Sequence, residues 1–152
     1  MAKEIERKFL LKGGFWPRET VMRCRQGFLN SFKERTVRVR TIGDKGYLTV
    51  KGIAVGASRM EFEYEIPYQD AITLLDICER PLIEKNRYSV KEGDLIWEID
   101  EFFGENQGLI IAEVELESED QEFPKPDWVG EEITGDPRYF NANLIKNPYT
   151  KW

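Results

Sequence analysis

Glu4, Glu6 and Lys8 occupy alternate positions of the opening segment Glu4-Ile5-Glu6-Arg7-Lys8. In an extended chain they share one face, while Ile5 and Phe9 take the other. Two carboxylates and an ammonium on one face allow two kinds of chemistry. Clustered carboxylates are the oxygen-rich donor set that Mg²⁺ or Mn²⁺ prefers, and clustered Lys and Arg suit phosphate oxygens. A single charged face is also what a solvated strand presents. Lys8 has a second reading too, as the partner that neutralises Glu4 and Glu6. The choice turns on whether later segments segregate charge in the same way.

They do, and by sign. Arg38 and Arg40 alternate with β-branched residues in Thr36–Thr41, and Lys51 shares a face with Tyr47 and Thr49, opposite Leu48 and Val50. Arg59–Ile66 alternates without a break, with Glu61 and Glu63 on the ionic side. Lys85 and Arg87 share a face of Leu82–Val90, Glu98 and Asp100 a face of Leu95–Phe102, and Glu113 and Glu115 a face of Leu109–Glu117. An ordinary wet face intermixes Lys and Glu, whereas these strands are basic or acidic as units. Such strands repel within themselves and require partners of opposite sign. Together they describe a metal-assisted polyphosphate site.

The elements that must position these groups follow from periodicity. Val21–Leu29 reads as a further strand, which brings the total to about eight, each with one apolar and one ionic side. Gly43-Asp44-Lys45-Gly46 and Lys91-Glu92-Gly93-Asp94 read as hairpin turns, and Gly13-Gly14 as a break before an apolar plug, Phe15-Trp16-Pro17. Asp70–Cys78 reads as a helix with Ala71, Leu74, Leu75 and Cys78 in one stripe. Pro124-Lys125-Pro126 marks an extended linker, and Asp136-Pro137 opens a short helix through Leu144. An open sheet with one wet face would satisfy the alternation. The segregation of sign favours a closed barrel that encloses the ionic faces. The expectation is therefore an all-β-dominated α+β fold: an eight-stranded antiparallel closed barrel with flanking helices, in a single domain over 1–152.

Composition narrows the function further. With 152 residues, 12% aromatics and 33% charged residues, the chain is long enough for one real core and too aromatic for disorder. A net charge of −6 opposes general nucleic-acid binding. No apolar run is long enough for a membrane span or leader, and Cys24 and Cys78 lack metal-type spacing, so a reducing cytoplasm is expected. The sequence has no histidine, which removes His-based nucleophilic catalysis and His-ligated zinc.

The ordered set resembles the CYTH family, the triphosphate tunnel metalloenzymes, which include class IV adenylyl cyclases and thiamine triphosphatases. The resemblance covers essentially the whole chain. It rests on the ExExK opening (Glu4, Glu6, Lys8), followed in order by Arg38/Arg40, Lys51, Glu61/Glu63, Lys85/Arg87, Glu98/Asp100 and Glu113/Glu115. The segment Gly135–Leu144 resembles small bacterial members in particular. The resemblance implies a tunnel in which Lys8, Arg38, Arg40, Lys51, Lys85 and Arg87 bind phosphate and act in catalysis. It implies Mg²⁺ or Mn²⁺ held by Glu4, Glu6, Glu113 and Glu115, with Glu61, Glu63, Glu98 and Asp100 in support. A homodimer is implied as well. The expected activity is hydrolysis of inorganic tripolyphosphate, with nucleoside or thiamine triphosphates as lesser substrates. A class IV-type adenylyl cyclase and a non-catalytic polyanion or divalent-ion binding module stay open. Arg7 is expected at the surface, and Phe62, Tyr64, Tyr88 and Trp97 in the core or at a dimer contact. Arg59, Glu65 and Glu117 have no assigned role.

Overall fold

The computed structural model describes residues 3–12 and 14–152, so Gly13 of the expected Gly13-Gly14 break lies outside the described residues. Each alternating segment becomes a strand: β1 (Lys3–Leu11), β2 (Val21–Asn30), β3 (Arg35–Ile42), β4 (Lys45–Gly52), β5 (Ser58–Ile66), β6 (Ile83–Glu92), β7 (Leu95–Phe102) and β8 (Ile110–Glu115). They pair in the order β5-β4-β3-β2-β6-β7-β8-β1, all antiparallel, and β1 returns to β5 through Lys3–Ile5 to close the barrel. The two hairpin turns tighten to two residues each. Their first positions, Gly43 and Gly93, have φ of +58° and +62°, which a side chain with a Cβ rarely adopts.

A ninth strand, β9 (Val129–Glu132), extends the sheet beside the far end of β1. Four residues with a glycine carry no alternation to read, and the pairing is supplied by β1. There is room at Gly130 because it has no side chain: a Cβ would lie 3.0 Å from the Leu10 carbonyl oxygen.

The helices are shorter than the sequence suggests. α1 (Tyr68–Leu75) starts after Pro67 and gives way to a turn before Cys78. Its Ala71 and Leu75, with Cys78, pack on Val39 and Leu48 outside the barrel. The approach is close enough that a Cβ on Gly46 would fall 2.6 Å from that of Ala71. The helix expected after Asp136 divides, because Phe140 is extended (ψ 134°). A 3₁₀ turn over Pro137–Tyr139 precedes α2 (Asn141–Lys146). The cap itself forms: the Asp136 carboxylate accepts the Arg138 N–H at 3.1 Å. Among the described residues no helix is long and apolar enough to cross a membrane.

Apolar residues lie both outside and inside the barrel. Outside β1, β7 and β8, Phe9, Trp97, Ile99 and Val114 are covered by Trp16, Phe123, Trp128 and Val129. Trp97 and Trp128 meet edge to face at 5.5 Å, and of the expected plug it is Trp16 that is buried, while Phe15 is exposed. Inside, Phe28, Ile83, Phe102 and Ile111 fill one end of the barrel together with Tyr139, Leu144 and Ile145 of the C-terminal segment. The other end is left to the ionic side chains.

Candidate functional site

That ionic half holds a cavity of about 830 Å³. Its position follows from the alternation, since the strands that line it turn their charged side in. β2 departs from the expected pattern: Arg23 and Arg25 turn outward to Glu84, while Cys24, Gln26 and Phe28 turn inward. The register then sets which charges meet. Lys8 lies opposite Glu113 and Glu6 opposite Glu115 across β1 and β8, and Glu113 faces Glu98 across β8 and β7. On the other edge of β1, Glu4 faces Arg59 of β5.

Five of the six expected phosphate-binding cations line the cavity: Lys8, Arg38, Arg40, Lys51 and Arg87. Four of them have carboxylate partners. Lys51 Nζ lies 2.8 Å from Glu4 and 3.3 Å from Glu61, Arg40 Nη2 3.2 Å from Glu63, Lys8 Nζ 3.6 Å from Glu6, and Arg87 Nη1 3.4 Å from Glu98. Arg38 has no ion-pair partner among the described residues, and its buried Nε has no hydrogen-bond acceptor; nor does the Nε of Arg40. Burial, then the adjacent cations Arg40 and Arg87, depress the Arg38 guanidinium to about 10. A buried, unpaired cation pressed by two others has the electrostatics of an anion site.

The acidic wall has the opposite imbalance. Burial raises the Glu115 carboxyl, and Glu4, Glu61, Glu6 and Glu98 raise it further. Burial and then Glu6 raise Glu113, while burial raises Glu4 despite Lys51. Burial also works against Glu6, yet Lys8 holds it below the usual carboxylate range. Carboxylates outnumber cations around the cavity, which therefore repels a free polyanion. Among the described residues no three of these groups already converge as a metal cage. An open wall of carboxylate oxygens still fits Mg²⁺ or Mn²⁺. Mg²⁺ keeps several waters and is held by one or two carboxylates plus substrate phosphates.

Of the expected metal-ligating residues, Glu4, Glu6, Glu61, Glu63, Glu98, Glu113 and Glu115 line the cavity; Asp100 does not, and neither does the expected phosphate-binding Lys85. Both are fully buried and hydrogen-bonded to each other at 2.7 Å. Burial opposes ionisation of Asp100, but Arg87 and Lys85 hold its carboxyl far below the ordinary range. Alternation gives the face of a residue, not its depth along the barrel, and so does not separate these two from the rest.

Glu117 lines the cavity, and so do Asp94, Gln121 and Asn141, which sequence reasoning missed. Asp94 and Gln121 sit in a turn and a connection, and Asn141 opens the short helix α2, so no strand periodicity marks their face. Leu95 and Ile96 beside the β6–β7 turn, and Ile42 at the end of β3, add apolar surface. Arg59 faces the interior and donates to the Gly52 carbonyl at 3.0 Å, while Glu65 is exposed. Tyr88 and Trp97 are core residues, whereas Phe62 and Tyr64 are exposed on the outside of β5. Arg7 pairs with Glu132 of β9 outside the barrel.

Comparison with known proteins gives a consistent result. The CYTH domain model matches residues 2–149. An inorganic triphosphatase of Acetivibrio thermocellus is 53% identical over 151 residues, covering 98% of this chain and 97% of that protein. One from Nitrosomonas europaea is 38% identical over 145 residues, covering 93% and 95%. A crystal structure of an inorganic triphosphatase superposes with a TM-score of 0.66 at 35% identity, covering 93% of this chain and 96% of that one.

Proposed function

The chain belongs to the CYTH family, and from that premise we propose that it is a divalent-metal-dependent triphosphatase that hydrolyses inorganic tripolyphosphate to pyrophosphate and phosphate. The observation that carries the reading is Arg38: a buried cation without a carboxylate partner among the described residues, beside Arg40 and Arg87, in a cavity otherwise rich in carboxylates. Both signs of charge are present in excess somewhere in one enclosure. A polyanion complexed to a divalent cation relieves both at once.

In this reading Lys8, Arg38, Arg40, Lys51 and Arg87 hold phosphate oxygens and neutralise the charge that builds on the leaving pyrophosphate as the terminal P–O bond breaks. Glu4, Glu6, Glu113 and Glu115 would hold Mg²⁺ or Mn²⁺, with Glu61, Glu63 and Glu98 in support. The bound ion would offset phosphate charge and lower the pKa of a water molecule. With no histidine in the chain, the water proton passes to a wall carboxylate or to a phosphate oxygen. Two buried free cysteines accord with a reducing cytoplasm. The reading also carries a homodimer, with exposed Phe62 and Tyr64 as the surface it would cover; a monomer in light scattering would remove that part.

The test is a panel of initial rates of phosphate release at equal free Mg²⁺. Cations from β1, β3, β4 and β6 suit a chain of three phosphoryl groups, and pyrophosphate leaves some of them unpaired. Each lost charge-assisted bond costs roughly 1.5–3 kcal/mol, or about tenfold or more in rate if it acts in the transition state. Tripolyphosphate is therefore expected to exceed ATP, pyrophosphate to be poor, and EDTA to abolish turnover. Full turnover in EDTA, or a preference for pyrophosphate, would overturn the reading.

A further inference from the structure

Lys85 and Asp100 pose a physical problem that phosphate and metal binding do not solve. Their relative exposures are 0% and 1%, and neither lines the cavity. Asp100 accepts Arg87 Nε at 2.7 Å on one oxygen, and Arg87 Nη2 at 2.9 Å and Lys85 Nζ at 2.7 Å on the other. The third guanidinium nitrogen, Arg87 Nη1, is left to the Glu98 side of the cavity. Behind Lys85 stands the Phe102 ring, its centroid 5.4 Å from Nζ, where the apolar half of the barrel begins.

Stability does not account for three charges at this depth. A buried ion pair is often no better than a well-packed apolar pair, because desolvation offsets the attraction. A bidentate Asp100–Arg87 pair alone would fix the guanidinium but leave the pair neutral, weakening the attraction Arg87 exerts on an anion. Adding Lys85 changes the sum at the clamp: two cations share one carboxylate, so Asp100 alone no longer balances Arg87, whose Nη1 and Nη2 meet the cavity carboxylates Glu98 at 3.4 Å and Glu113 at 3.8 Å.

We propose that Lys85 and Asp100 are positioning residues. Asp100 orients Arg87, and Lys85 neutralises Asp100, so that the clamp does not cancel the charge Arg87 offers to phosphate. The proposal rests on the triphosphatase reading, and it replaces the direct phosphate and metal roles expected of these two residues from the sequence.

The experiment compares full-length wild type with Lys85→Met, Asp100→Asn and the double variant. It reads calorimetric binding of Mg²⁺–tripolyphosphate, initial rates, Tm, and solvent exchange of the Arg87 Nε–H by NMR. Lys85→Met is expected to weaken binding about tenfold while the Arg87 Nε–H stays slow to exchange. Asp100→Asn speeds that exchange and lowers kcat more than it changes KM. The double variant, having lost one charge of each sign, returns binding to within about threefold of wild type.

A double variant that binds as weakly as Lys85→Met, or more weakly, means that Lys85 touches the phosphate itself and overturns the proposal. If Lys85→Met alone does not fold, the double variant, whose summed charge equals that of wild type, decides by direct comparison with wild type. A wild-type chain that neither binds nor hydrolyses a triphosphate fails the functional reading instead. The Arg87 signal still decides the clamp in that case: slow exchange in wild type that is lost in Asp100→Asn supports it, and fast exchange in wild type overturns it.

Discussion

The two ends of the barrel interior are built from the same strands at the same alternating positions, yet they differ completely in character. Along β6 the inward side chains run Arg87, Lys85, Ile83; along β7, Glu98, Asp100, Phe102; along β8, Glu115, Glu113, Ile111. In each strand ionic residues give way to apolar ones within a single step. The difference shows how a barrel can enclose this many charges. Desolvation is confined to one end, where a ligand can compensate it, while the other end is sealed by ordinary packing against Leu144 and Ile145.

A pair of substitutions, one in each half, tests this division most strongly. Arg38→Met removes a buried cation without an ion-pair partner, and it is expected to lower kcat/KM about 100-fold while leaving Tm unchanged or raised. Leu144→Ala, in a side chain with no exposed surface, is expected to cost about 2–5 kcal/mol of stability while activity per folded molecule stays near wild type. Equal losses of activity and stability in both variants would mean that the halves are one cooperative unit. Chemical denaturation alongside initial rates separates the two outcomes.

A smaller effect sharpens the electrostatic side. Burial and Glu6 raise the Glu113 carboxyl above its ordinary value of 4.5, so the folded protein holds that proton more tightly than the unfolded chain does. Its contribution to stability is complete below 4.5 and is lost as pH rises through the folded value. Glu113→Gln is therefore expected to melt above the metal-free wild type at neutral pH, and the gap should close as pH falls toward 4.5. A gap independent of pH would show that the repulsion along the acidic wall is already compensated.

The sequence made the barrel legible because the alternation was strict and the strands were uniform in sign. Glu61 and Glu63 on β5, or Arg38 and Arg40 on β3, leave little freedom over which face is enclosed. Asp94 and Gln121, from a turn and a connection, and Asn141, from the start of α2, were not legible, since only the folded chain brings them to the cavity. Depth was equally hidden. Lys85 and Arg87 look equivalent as a spaced pair, but one step along β6 moves a cation from the cavity wall to the border of the apolar plug. The split after Pro137 depended on Phe140, whose extended backbone breaks a segment that looks continuous by composition.

β1 has consequences beyond the ligands it carries. It pairs with β8 along one edge and with β5 and then β9 along the other, and its Arg7 meets a residue 125 positions away. Contacts this distant in sequence form late, because the loop-closure entropy must be met before they contribute. The hairpins from β2 to β5 and from β6 to β7 can form early from local turns, but Glu4, Glu6 and Lys8 reach Glu113 and Glu115 only when the ring is joined. A partly folded chain then has strands but no site, and catalytic competence arrives in the same step as topological closure.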